Sequence, residues 1–269
     1  MSWLTSAPPV LVWERHRSTT PTMFRRFLAG VLAALFALST AHAAPSAPMR
    51  VGVEKLDYYP FYASDGKRYW GYARDLMDAY AAARGQRFHY EPLPVAELFR
   101  LFLGSDRLDF KFPDNPRWSE ADKTGKTVRY SQPVGVLTEG LVVRRAGLGQ
   151  PLSRLRTVGI VKGFMPSSIA RALRRGEISL VESPSLDALF QQLAIGRLDA
   201  VYVELQVARQ RLAFLKLDKQ LAPDPTLPAD RHELRLSSRL HPERIADFDR
   251  FLVDDAERVR ELKRRYGLL

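Results

Sequence analysis

Residues 113–118 read Pro-Asp-Asn-Pro-Arg-Trp and crowd a carboxylate, an amide, a guanidinium and an indole into one short segment. Asp114 and Arg117 offer charge-assisted hydrogen bonds to a polar ligand, Asn115 a donor and an acceptor, and Trp118 a flat apolar face. Asn115 is the only asparagine in the chain and stands between two prolines. A proline-defined turn, with Asp114 and Asn115 bonding local backbone, therefore accounts for the segment as well as a turn that also touches a ligand. A second cluster, Tyr58, Tyr59, Pro60 and Phe61, supplies stiff rings for stacking. Neither cluster is a hydrolase or phosphate-binding signature: Gly-x-Ser-x-Gly, His-Glu-x-x-His and phosphate-loop patterns are absent. With no cysteine there is no thiol nucleophile, thiolate metal site or disulfide, and His89, His232 and His241 are far apart in sequence. The expectation is ligand binding, not catalysis, with no cofactor and no metal.

Such clusters work only if folded elements hold them. Residues 50–54 alternate as a strand that runs into the aromatic cluster, an Asp-Gly turn follows at 65–66, and a helix over 75–84 starts behind Asp75 as N-cap and stops at Gly85. Phe88 and Tyr90 alternate as a second strand broken at 92–94; a helix over 95–103 and a strand over 108–112 follow. Strand and helix in alternation, with short loops, predict a mostly parallel sheet. Ligands bind such sheets beyond the carboxyl ends of their strands, where both clusters fall. Two extended runs, 134–137 and 141–144, flank Glu139-Gly140 with no helix after them, as expected where a chain passes from one domain to another. A second alternating set has strands at 157–161, 178–181 and 198–203 and helices at 167–175, 185–195 and from 205. A strand at 233–238 returns to the first domain, ahead of helices at 242–254 and 256–265.

At 269 residues the chain is long enough for one large or two modest cores. Arg25 and Arg26 precede an apolar run over 27–38 that ends at Ala41-His42-Ala43, the pattern of a secretory signal peptide at 23–43, which places the protein in the periplasm. Residues 1–22 then read as an upstream extension ahead of the initiating Met23. The net charge is +11, and the four arginines and single glutamate of residues 1–43 leave +8 for the rest. The positive charges are scattered, without a basic run interleaved with aromatics, so no nucleic acid is expected as a partner.

The order RVGVEK, YYPFY, DGKRYWGYARDLMDAYA, GSDRLDF, YSQPVG, EGLVVRR, LSRLRTVGIVKGF and SLDALFQQLAIGRLDAVYVE resembles the family 3 extracellular solute-binding proteins over about residues 50–269. The resemblance implies an α/β, two-lobed periplasmic-binding-protein-like type II fold with two hinge crossings, with lobe 1 at 50–138 plus 234–269 and lobe 2 at 142–232. It implies a monomer that closes on a small polar ligand, an amino acid or a related carboxylate-bearing metabolite, and works with an inner-membrane ABC permease or a sensor. Carried over position by position, the stacking aromatics fall on Tyr59 and Phe61. A glycine-led turn whose amides meet ligand oxygens falls on Gly163, Phe164, Ser167 and Ser168. The carboxylate that pairs with a ligand ammonium falls on Glu204. The family's carboxylate-clamping arginine is not in its usual place: 112–126 departs from that pattern, leaving Arg117, Lys123 and Lys126 as substitutes. The same fold also hosts periplasmic lyases of the cyclohexadienyl dehydratase type, a reading in which Glu204, Glu139 or Asp114 would offer the general acid, and a ligand-dependent sensor module acting in trans is a further reading.

Overall fold

The computed structural model describes residues 47–269; the expected extension and signal peptide lie outside them. Strand β1 (Met49–Glu54) leads into three short strands, β2 (Asp57–Tyr58), β3 (Tyr62–Ser64) and β4 (Tyr69–Trp70), and then into helix α1 (Tyr72–Arg84). β5 (Phe88–Leu93), α2 (Val95–Gly104), β6 (Phe110–Asp114), α3 (Glu120–Lys123), β7 (Arg129–Tyr130) and the long β8 (Gly135–Arg144) follow. The next set is β9 (Thr157–Val161), α4 (Ala170–Arg174), β10 (Ser179–Ser183), α5 (Leu186–Ala194), β11 (Ala200–Glu204) and α6 (Leu205–Phe214). β12 (Leu221–Pro223), β13 (Asp230–Ser238), α7 (Pro242–Asp254) and α8 (Ala256–Arg265) complete the chain.

One continuous path of strands, β10-β9-β11-β8-β13-β6-β1-β5, runs through the protein. Its two ends are parallel, β5-β1-β6 and β10-β9-β11, as helix-crossover strands must be. They are joined in the middle by β8 and β13, antiparallel to each other and to their outer neighbours. β8 and β13 each take part in both halves, so the chain crosses between them twice.

Several boundaries move, each for a physical reason. The two runs at 134–137 and 141–144 are one strand, because Glu139 pairs on both sides, with Glu204 of β11 and Asp230 of β13, and Gly140 pairs with Val203 of β11. α1 begins at Tyr72, not at Asp75: Gly71, at φ 105° and packed onto the backbone of Tyr62, makes the bend, and Asp75 falls in the first turn. Pro92 lies within β5, tolerated because β5 is an edge strand. Gly85 closes α1 in the left-handed conformation, and Ser185 caps α5 by accepting from Ala188 N–H. Apolar faces of α1, α7 and α8 pack with β1 and β6 around Tyr80, Phe248 and Phe251; in the second half α5 and α6 cover β9 and β11. Among the described residues no helix is long and apolar enough to cross a membrane.

Candidate functional site

The carboxyl ends of β1, β6 and β9 and the two crossing strands surround a cavity of ≈ 50 Å³. Its walls come from both halves. Glu54, Tyr62, Val95, Phe99, Arg117, Trp118 and Ser119 line one side, Gly163, Phe164, Met165 and Ser167 the other, and Leu137, Glu139 and His232 sit on the crossing strands.

The Pro-Asp-Asn-Pro-Arg-Trp segment divides its labour. Asp114 is fully buried, takes Lys123 Nζ at 3.0 Å and Ser237 Oγ at 2.7 Å, and accepts from Asn115 N–H. Asn115 donates from Nδ2 to Glu233 O and accepts from Arg117 N–H through Oδ1. These two residues therefore build the turn, and do not line the cavity; the turn presents Arg117 and Trp118 to it. Lys123 is consumed by Asp114 and by the carbonyl of Asn115, which removes it as a free anion clamp. The Arg117 guanidinium is exposed at the rim and has no acidic partner among the described residues.

The aromatic cluster after β1 is a hairpin rather than an open loop, with Tyr58 paired directly to Tyr62. Cross-strand partners share a face, and the two rings stack at 5.4 Å on the cavity side, where Tyr62 lines the wall. Tyr59 at the turn faces away and meets Tyr266 edge-on, while Phe61 is buried in the core. Of the rings expected there, Tyr59 and Phe61 are thus not in the cavity, and Tyr62, a few positions on, is.

From the second half, Gly163, Phe164 and Ser167 line the cavity as the turn after β9. Ser168 does not; its N–H donates to Asp230 Oδ2. Glu204 is buried and spent locally: its carboxylate caps α6 by accepting from Val207 N–H at 2.7 Å. Glu139, which the sequence offered only as a domain crossing and as one acid among several, takes the place on the wall.

Two buried carboxylates face the cavity. Glu54 accepts from Tyr62 Oη at 2.6 Å and lies 3.6 Å from Lys111 Nζ, and burial raises its pKa above the ordinary carboxylate range. Lys111, itself fully buried, continues to Asp114 and on to Lys123, so these four charges alternate in sign along a linear chain. Glu139 accepts from Tyr58 Oη at 3.0 Å, and burial pushes it up to about 8. His232, held below its usual pKa by burial, places Nε2 3.4 Å from Glu139 and leaves Nδ1 without a partner among the described residues. Glu54, Tyr62 and His232 were not singled out as site residues by sequence reasoning, and Glu139 only as one acid among several. The only signal for Glu54 was its place at the end of the first strand.

No protein-family model matches this sequence, and no curated protein does. Solved structures do. The putative binding component of an ABC transporter from Wolinella succinogenes, complexed with lysine, superimposes with a TM-score of 0.67 at 19% identity, over 82% of this chain and 96% of that one. The fold is that of the two-lobed periplasmic-binding-protein-like domains. The arginine-, lysine-, histidine-binding protein from Geobacillus stearothermophilus is similar at a TM-score of 0.65 and 17% identity, over 82% of this chain and 95% of that one. So is a histidine kinase sensor domain with similarity to periplasmic binding proteins, at 0.66 and 20%, over 81% and 95%. In this fold β8 and β13 are the two crossings between lobes, and the cavity occupies the cleft they floor.

Proposed function

We propose that this chain is a periplasmic solute receptor of the family 3 kind. It captures a small polar, carboxylate-bearing ligand, an amino acid or a related metabolite, and delivers it to an inner-membrane ABC permease. Lobe 1 is residues 50–138 with 234–269 and lobe 2 residues 142–232, and binding is closure of one on the other. The observation that carries this reading is the cavity, lined from both halves, with the unpaired Arg117 guanidinium at its rim. Arg117 takes the carboxylate, Trp118 and Phe164 supply apolar faces, and the amides of the Gly163–Ser167 turn meet the remaining oxygens. Solved neighbours that bind lysine, or arginine, lysine and histidine, support an amino-acid class. The likeness to a histidine kinase sensor domain supports a second use of the same site, in signalling.

Thermal melting of the purified protein against amino acids, organic acids and polyamines tests the reading. A ligand at a thousandfold excess over its Kd adds about 4 kcal/mol, or roughly 8–16 °C for a chain of this size. One class of compounds giving such a shift, and recovered unchanged, is the expected result. Consumption of the compound would instead make the protein an enzyme, and silence across the panel would remove the receptor reading.

A further inference from the structure

Where β11, β8 and β13 run side by side, three carboxylates stand in one row: Glu139 is in register with Glu204 on one strand and with Asp230 on the other. Like charges directly opposite one another across strands repel, so the row persists only if its members are neutralised differently. Glu204 is held by backbone amides at the start of α6. Asp230 accepts from Ser168 N–H at 2.9 Å and from Tyr202 Oη at 2.7 Å. Among the described residues Glu139 has no lysine or arginine beside it, only Tyr58, Tyr202 and His232.

The hydrogen count at Tyr202 is decisive. Its oxygen lies 2.7 Å from Asp230 Oδ2 and 3.2 Å from Glu139 Oε2, and one hydroxyl hydrogen serves only one of them. With the shorter bond donated to Asp230, the Glu139 contact is favourable when Glu139 carries the proton and donates to the phenol oxygen. Glu139 is thus an acid kept neutral when no ligand is bound, next to a His232 whose Nδ1 is buried, has no hydrogen-bond partner among the described residues and accepts when unprotonated. A buried carboxyl of this kind becomes a strong anionic contact only when a cation arrives with it.

We propose that Glu139, flanked by His232, receives the ammonium group of the ligand, and that this binding expels one proton from Glu139 to solvent. The step breaks no bond in the ligand: the carboxyl O–H gives up its proton to buffer, and the carboxylate takes the ammonium as its counter-ion. This rests on the receptor reading and adds the ligand's second charge to it, with the ammonium deep on the crossing strands and the carboxylate outward at Arg117. It also moves the ammonium contact from Glu204, where the family resemblance put it, to the neighbouring strand. The groups facing Glu139 are Glu54 from β1, Tyr58 from β2, Tyr202 and Glu204 from β11, and Asp230 and His232 from β13, with Arg117 beyond His232. Burial first, then the charges of Glu54 and Asp230, raise Glu139 in the empty state, so the proton is there to be released near neutral pH.

Titration calorimetry of the full chain with L-lysine, L-arginine, putrescine and succinate, in buffers of different ionisation enthalpy, tests the proposal. An ammonium-bearing probe is expected to bind with net release of about one proton, and its affinity to rise about tenfold between pH 6 and pH 7. Glu139→Gln should remove the proton release and the pH slope, whereas Glu204→Gln should keep both. Binding of succinate alone would leave the receptor reading intact and overturn this one, as would ammonium binding with no proton released. No binding by these probes or by the wider melting panel would overturn the receptor reading and this one with it. Should Glu139→Gln not fold, the wild-type buffer comparison still decides.

Discussion

The Tyr58 hydroxyl donates to Glu139 Oε1 at 3.0 Å and, on the same oxygen, accepts from the N–H of Glu204 at 2.9 Å. A residue of the hairpin after β1 thus satisfies two buried groups of the neighbouring strands β8 and β11. Tyr58→Phe should keep the ring stacking on Tyr62 and the edge-on contact with Phe164 but leave both groups without this partner. The expected cost is about 1–3 kcal/mol, read as a lower urea midpoint at unchanged slope.

The pH dependence of stability should carry the mark of Glu139. Its folded pKa, pushed up to about 8 mainly by burial, lies above the ordinary value of 4.5, so the native state holds a proton that the unfolded chain releases. This contribution is fully present below pH 4.5 and is lost as pH rises through 8. Glu139→Gln, neutral at every pH, should flatten the wild-type fall in Tm between pH 5 and 8. A slope unchanged by the substitution would assign the titration to another group.

The alternating chain Glu54, Lys111, Asp114, Lys123 is stable only as a whole. Asp114→Ala would leave Lys111, fully buried, and Lys123 short of a counter-charge. A loss of about 3–5 kcal/mol is expected, measured by chemical denaturation. Replacing Lys111 and Glu54 together by Met and Gln should cost less than the two single changes added.

Arg117 and Glu204 separate binding from stability. Arg117→Ala removes an exposed, unpaired guanidinium, so Tm should hold while ligand affinity falls ten- to a hundredfold, the equivalent of about 1.5–3 kcal/mol for a hydrogen-bonded charge. Glu204→Ala removes the cap of α6 and should lower stability by about 1 kcal/mol. Calorimetry and melting on the same two variants check both halves of the contrast.

Gly163 is positioned where the two halves touch. Its φ is +92°, and a Cβ there would approach Val95 of α2 to 3.2 Å. Gly163→Ala should therefore destabilise by about 1–2 kcal/mol from backbone strain alone, and small-angle scattering should show a more open molecule if the contact helps hold the halves together.

The periodic segments were legible from the chain alone. Strand and helix alternation at 50–112 and 157–214, Gly85 as a stop and the two crossings all follow from local chemistry, because backbone hydrogen bonding and apolar periodicity act within a few residues. The turn at 113–118 was legible as a turn, and Arg117, Trp118 and the Gly163–Ser167 segment were named as candidates. Which members of each cluster face the cavity was not legible. Tyr59 and Tyr62 are equally good stacking residues by type, and only the pairing register of Tyr58 with Tyr62 turns one outward and the other in. Likewise Glu204 and Glu139 are both strand carboxylates. It is the start of α6 that absorbs the first, and the meeting of three strands around the second that leaves it buried without a cation. Burial and counter-charge are set by residues that are distant in sequence, so the chemistry of this cleft was decided by the tertiary structure.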